Sequence, residues 1–288
     1  MKKILVPTDF SDCSQAAYQA GMKIAGKTSA ELVLLHSINT VVDWSQIEMV
    51  TPIHAELPPD SREKLFPEIK KQLGHVKQEL IDLTKKATEA GVNASYSLAY
   101  NLAHKDVLNY AKKAEVDFIV MGSHGASGIK EALIGSNAQK VIRKAHCPVL
   151  IVKEIEKDWK MKNIAFASDF KEEETSSVAD QLKYFQTIFN ATLHLFFINT
   201  PPHFLETTRS IRKMETFAKE LGIENVQKHV FNEFSVEDGI LQLAARHSIN
   251  VIALATHGYW GFRRLINTNT AEHVVNHATT PVLTFKIK

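Results

Sequence analysis

Two cysteines are all that the chain contains, Cys13 and Cys147, far apart and without CxxC spacing. That scarcity argues against a disulfide framework and against a cysteine zinc cluster. Cys147, directly before the apolar run Pro148-Val149-Leu150-Ile151-Val152, reads as a small packing residue rather than a nucleophile. Long apolar runs are also missing: no stretch approaches the roughly 18 to 20 residues that a membrane span needs. The amino terminus, Met1-Lys2-Lys3-Ile4-Leu5-Val6-Pro7, is too short an apolar run for a signal peptide, so a cytoplasmic chain is expected. Net charge is only +2 and no Lys/Arg block exceeds a short pair, which argues against a large nucleic-acid footprint. No evident carboxylate pair is placed for Mg²⁺. Histidines such as His36, His54, His75, His146, His194 and His203 show no ligand spacing on a shared face, so no protein metal site is expected.

What is present is a duplication. With 288 residues there is room for two ordinary domains, each burying its own core. Lys3-Ile4-Leu5-Val6-Pro7-Thr8-Asp9-Phe10 returns as Asn163-Ile164-Ala165-Phe166-Ala167-Ser168-Asp169-Phe170. Ala30 to Leu35 returns as Ala191 to Phe196, and Ala145 to Leu150 as Ala278 to Leu283. The halves span 1–154 and 161–288, with a short charged linker at Glu154-Ile155-Glu156-Lys157-Asp158. Each alternates short β-branched runs with longer segments of helical period, which signals βαβ units around a parallel sheet.

In the first half the patterns predict strands near 3–8, 31–38, 93–99, 116–121 and 148–153, and helices near 11–26, 67–90, 103–114 and 136–145. Ser11 can cap the first helix and Gly26 can close it. Ile69, Leu73, Val76, Leu80 and Leu83 mark one apolar helix face, read as core packing. The first half is longer between its second and third strands. There, Val41 to Pro59 carries Trp44, Ile47, Met49, Val50 and Ile53, and reads either as a cover over the site or as a subunit contact.

The chemistry concentrates at Gly122-Ser123-His124-Gly125 and Gly135-Ser136, a Gly-x2-Gly-x9-Gly-Ser pattern after the strand ending at Met121. Glycines at a strand end let backbone N–H groups approach an anion, and a helix beginning at Ser136 offers its positive end. Ser136 can add a hydroxyl donor. In an open parallel sheet, ligands sit beyond the carboxyl ends of the strands, where Asp9 and Gly122 converge. A carboxylate there suits ribose hydroxyls. His124 is read as ordering the glycine loop, ahead of a catalytic role; Lys130 is read either as reaching a terminal phosphate or as solvated.

Lys3 to Asp9, Met121 to Gly125, Gly135-Ser136 and Cys147-Pro148-Val149 resemble the universal stress protein family, in its tandem form, over essentially all of the chain. The resemblance implies an α/β fold: two tandem five-stranded parallel-sheet domains of order 3-2-1-4-5, adenine nucleotide alpha-hydrolase-like. It also implies binding of ATP or another adenine nucleotide, with Mg²⁺ as a candidate companion, where the glycine motif is kept. Carried over residue by residue, Asp9 would hold the adenosine part, with backbone around Ser37 and Ile38 near the adenine. Gly122, Gly125, Gly135 and Ser136 would hold the phosphates, and Pro7, Thr8, Met121, His124, Lys130 and Asn137 complete the expected set. In the family the last strand forms the subunit contact, so Val149–Val152 would pair with Val282–Phe285 in an intramolecular pseudo-dimer, a further homodimer being open. The implied role is a stress-response sensor or regulator; a slow ATP hydrolase and a nucleotide-independent interaction protein are the alternatives. The second half departs from the motif: Ala255, Thr268 and Asn269 replace two glycines and the serine, Tyr259-Trp260 add bulk, and only Gly258 and Asp169 persist. No ATP is expected there, and whether that pocket takes another ligand or packs shut stays open.

Overall fold

The computed structural model describes residues 1–38, 67–99, 102–124, 134–257 and 268–287. Each half opens with a five-residue apolar strand, β1 (Lys3–Pro7) and β6 (Asn163–Ala167). Ile4, Leu5 and Val6 are all buried, and so are Ile164, Ala165 and Phe166. Consecutive rather than alternating burial is what a strand shows when helices cover both faces of its sheet.

The first half continues as α1 (Asp12–Thr28), β2 (Glu31–Ser37), α2 (Pro67–Glu89), β3 (Ala94–Ala99), α3 (Ala103–Lys113), β4 (Phe118–Gly122), α4 (Ser136–Lys144) and β5 (Val149–Val152). The second repeats the order as α5 (Glu172–Phe189), β7 (Thr192–Asn199), α6 (Thr207–Leu221), β8 (Val226–Asn232), α7 (Val236–Arg246), β9 (Val251–His257), α8 (Thr268–His277) and β10 (Val282–Ile287). Strand order is β3-β2-β1-β4-β5-β10-β9-β6-β7-β8, so each half has the order 3-2-1-4-5. Pairing is parallel within each half and antiparallel where β5 meets β10, with Leu150 opposite Leu283.

Two apolar layers sandwich this sheet. On one face α1, α2, α5 and α6 pack on Ile4, Val6, Phe166 and Phe285. On the other, α3, α4, α7 and α8 pack on Leu5, Ile119, Ala165 and Ile252. Leu73, Val76, Leu80 and Leu83 of the α2 stripe are buried, and the Tyr18 hydroxyl of α1 donates to the Leu83 carbonyl at 2.7 Å. The Ile69 side chain and the 41–59 segment lie outside the described residues. Ser11 caps α1 as its sequence suggests, accepting from the Ser14 amide. The other end differs: α1 runs past Gly26 to Thr28, and Ser29 closes it in the left-handed region at φ 55°. Burial of Ile24 and Ala25 and the Thr28 hydroxyl bond to the Ile24 carbonyl carry the helix through the glycine.

One contact between the halves bears on the site. Glu272 of α8 accepts from Gln139 at 2.6 Å and from Arg143 at 2.5 Å, both on α4. Asn276 of α8 accepts from the Ile134 amide at 2.7 Å, just before α4 begins. No helix among the described residues is long and apolar enough to cross a membrane.

Candidate functional site

β1 lies between β2 and β4, and a cleft opens beyond the carboxyl ends of these strands. Pro7, Thr8 and Asp9 supply one side, Ser37 the end of β2, and Met121, Gly122 and His124 the end of β4. Gly135, Ser136 and Asn137 close it from the start of α4. Ten of the thirteen residues expected from the sequence thus line one cleft. Ile38 does not: its side chain is buried and its amide donates to the Ala99 carbonyl at 2.8 Å, extending the β2–β3 ladder. Gly125 and Lys130 lie outside the described residues, as do Gly258 and Tyr259-Trp260.

The turn after β1 is built around Asp9. Its Oδ1 accepts from the Ser11 amide at 3.1 Å and the Ser11 hydroxyl at 2.6 Å, which fixes the carboxylate at the entrance of α1. Phe10 takes φ 64°, the left-handed conformation that turns the chain sharply there, and Phe170 repeats it at φ 54°. Buried Thr8 bonds through its Oγ1 to Ser14 at 3.2 Å, and its carbonyl is 2.8 Å from His36 Nδ1. Burial lowers the pKa of His36, so the neutral ring donates to that carbonyl.

Gly122 and Gly135 answer to packing as well as to a ligand. A Cβ at Gly122 would meet the Cys13 backbone carbonyl at 2.8–2.9 Å, because α1 starts hard against the end of β4. At Gly135 a Cβ would stand 3.1 Å from the Ser123 carbonyl, which also accepts the Gly135 amide at 2.7 Å. Gly135 is the N-cap of α4 and brings no side-chain cap; no acidic residue occupies the first turn, whereas Arg143 and Lys144 sit in the last. The leading amides of this helix therefore open on the cleft with the positive end of the helix dipole behind them. Such an end binds anions.

His124 braces the loop beside this helix start. Its Nδ1 lies 2.8 Å from the Ser123 hydroxyl, so the ring does order the strand-end loop. Its Nε2 is buried and has no partner among the described residues. The ring is thus held within the loop, between the end of β4 and the start of α4. The sequence reading missed Ser14 and Ser123, both small hydroxyl residues that brace lining groups, and Val107 and Ala103, which wall the cleft from α3. Ser123 lies inside the glycine motif and is held by its amide bond to the Val152 carbonyl, whereas Ser14, Ala103 and Val107 have no spacing signal and are placed by helix packing. Cys147 is buried and its thiol is pushed up to about 12, as befits a packing residue.

In the second half the same framework is spent differently. Lys171 stands where the first half has Ser11, and its ammonium pairs with Asp169 at 2.7 Å. Lys213 Nζ donates to the Asp169 carbonyl at 3.0 Å. One carboxylate oxygen of the acid retained by duplication is thus paired from within the chain, while its buried Oδ1 has no hydrogen-bond partner among the described residues. Ile198, the counterpart of Ser37, presses on α7, where a Cβ at Gly239 would lie 2.5 Å from its Cγ2.

One arrangement has no precedent in the sequence reading: His194, His229 and His247 converge, each placing a ring nitrogen within 4.8 Å of the others. Of the histidines expected to share no face, His194 has two histidine neighbours, neither of them in that set. Neighbouring strand register brings His194 and His229 together, and register is set by the whole sheet.

Comparison with known proteins agrees with this architecture. The sequence model of the universal stress protein family matches residues 1–153 and again 160–286. Universal stress protein MJ0531 of Methanocaldococcus jannaschii is 36% identical over 158 residues, covering 54% of this chain and 85% of that protein. Universal stress protein Slr1230 of Synechocystis is 23% identical over 300 residues, 99% of this chain and all of that one. Among solved structures, a universal stress protein from Archaeoglobus fulgidus superposes with a TM-score of 0.69 at 21% identity, covering 99% of this chain and 96% of that one, a likeness of fold. Two consecutive family matches, one per half, account for nearly the whole sequence, and the chain belongs to the universal stress protein family as a tandem member.

Proposed function

We propose that the first domain, residues 1–154, binds one ATP or related adenine nucleotide, and that its occupancy acts as a signal in a cytoplasmic stress response. The observation that carries this reading is the uncapped start of α4, which opens on the cleft beside Gly122 and His124. Its leading amides are donors, and a phosphate chain is a ligand that uses them together. Asp9 stands on the opposite side, where a carboxylate accepts from ribose hydroxyls, and Ser37 borders the adenine end. Gly125 and Lys130 join the phosphate path in this reading, with Mg²⁺ as counter-ion. The second domain holds no nucleotide, because Lys171 occupies the acid and Ala255 replaces the first glycine. It acts instead as the inner partner of a pseudo-dimer, gripping α4 through Glu272.

A regulatory role asks for different affinities in two states of the protein, and α4 links the phosphate end to the second domain. Denaturing the purified full chain and identifying released small molecules by mass spectrometry tests the proposal, with a turnover assay alongside. The expected result is an adenine nucleotide and no turnover above that of Gly122→Val. Turnover that Gly122→Val abolishes would instead make the protein a slow hydrolase. Absence of both heat and thermal shift on adding ATP to nucleotide-free protein would leave a nucleotide-independent interaction protein.

A further inference from the structure

His194 lies in β7, His229 in the adjacent edge strand β8, and His247 at the C-cap of α7, the helix covering that face. Phe196 is in register with His229, so His194 and His229 point to the same side of the sheet. His194 Nδ1 and His229 Nε2 are 3.1 Å apart, and the His229 and His247 ring centroids are 4.1 Å apart. Bond lengths of about 2.0–2.1 Å in a tetrahedral zinc site place ligand nitrogens about 3.3 Å from one another. The His194–His229 pair is already near that spacing, and all three ligand nitrogens lie within 4.8 Å of one another.

Burial sharpens the case. His194 is only 4% exposed, and its Nε2 has no hydrogen-bond partner among the described residues. The Nδ1 side of this buried ring meets His229, so its packing holds the ring in place beside the other two imidazoles. Half-buried His229 and His247 give an ion a route from solvent. The donor set is all imidazole, without thiolate or carboxylate, which suits zinc and its first-row neighbours rather than calcium or magnesium.

We propose that His194, His229 and His247 bind one zinc-class divalent transition-metal ion through three imidazole nitrogens, with water in the fourth position. Entry of the ion moves the hydrogen now shared between His194 and His229 to the other nitrogen of the ring that carries it, a change of tautomer that keeps both imidazoles neutral, since each ligating nitrogen must present its lone pair. The bound ion ties edge strand β8 to β7 and to the end of α7. It lies in the second domain, toward the amino-terminal part of these strands, so it is separate from the cleft beyond the strand ends of the first.

Tag-free full-length protein, stripped with chelator, is titrated with Zn²⁺ by calorimetry and with Co²⁺ by visible absorption. The expected result is one equivalent bound and the intense visible bands of four-coordinate Co²⁺. His229→Gln and His247→Gln should each weaken binding beyond the roughly 10–100-fold that a change outside the ligand set costs. The stacked surface pair His273 and His277 on α8 is the competing chelator, and replacing both with Gln should leave binding intact. Because replacing buried His194 risks the fold, X-ray absorption on the unaltered zinc-loaded chain supplies an independent reading: three imidazoles at about 2.0–2.1 Å. Absence of saturable binding, the pale spectrum of six-coordinate Co²⁺, or binding lost with His273 and His277 but kept without His229 and His247 would overturn the proposal.

Discussion

The Gly122 Cα hydrogen faces the Cys13 carbonyl, and backbone cannot swing aside as a side-chain tip can. Gly122→Ala must push the start of α1 away from β4, at an overpacking cost of about 1–3 kcal/mol. The same shift moves Ser11 from Asp9, so nucleotide affinity should fall with stability; a denaturant curve and a titration on one sample check both. His36 sets a pH dependence beside this turn. Burial lowers its pKa below 6.5, so the unfolded chain takes up a proton that the folded chain refuses as pH falls through 6.5. Its contribution is present above pH 6.5 and is lost on acidification, in the same direction as those of His104, His194 and His229. Thermal midpoints between pH 7.5 and 5.5 should therefore drop, and drop less in His36→Gln; equal slopes would contradict the assignment. At this scale the sequence reveals identity but not company. The glycine motif and Asp9 stand out in it, whereas the packing reason for Gly122, the Lys213 bond to the Asp169 carbonyl, and the three-histidine cluster depend on partners distant in the chain.

Elements were more legible than their neighbours. Strands buried on both faces appear as unbroken apolar runs, and helix caps such as Ser11 act locally, so both can be read from short stretches of sequence. Gly26 misleads because its helix is held by packing of Ile24 and Ala25, which local propensity does not see. The coupling between α4 and α8 is equally invisible in sequence. Glu272 is nearly buried and receives both Gln139 and Arg143, so it fixes the helix whose first turn faces the cleft. Glu272→Ala leaves every lining residue in place yet should weaken nucleotide binding by about 0.5–2 kcal/mol, the range for couplings carried through packed elements. Calorimetric titration measures it. Unchanged affinity would mean that α4 holds its position without the second domain.

Across the whole molecule, duplication supplies two copies of one fold, and the β5–β10 pairing joins them into a ten-stranded sheet. Pairing these strands removes two exposed edges that would otherwise invite association. Both apolar layers run unbroken from one half into the other: Phe118 of β4 packs on Phe185 of α5, and Phe185 on Phe285 of β10. Such continuity predicts a single thermal unfolding transition by calorimetry; two resolved transitions would show that the halves unfold independently. Asymmetry of chemistry on this symmetric frame is the central claim. It is tested most directly by the stoichiometry of ATP binding to nucleotide-free full-length protein, measured by calorimetry beside Gly122→Val and Lys171→Ala. The account predicts one nucleotide per chain, lost in Gly122→Val and unchanged in Lys171→Ala. Two nucleotides per chain, or one that survives Gly122→Val, would contradict it.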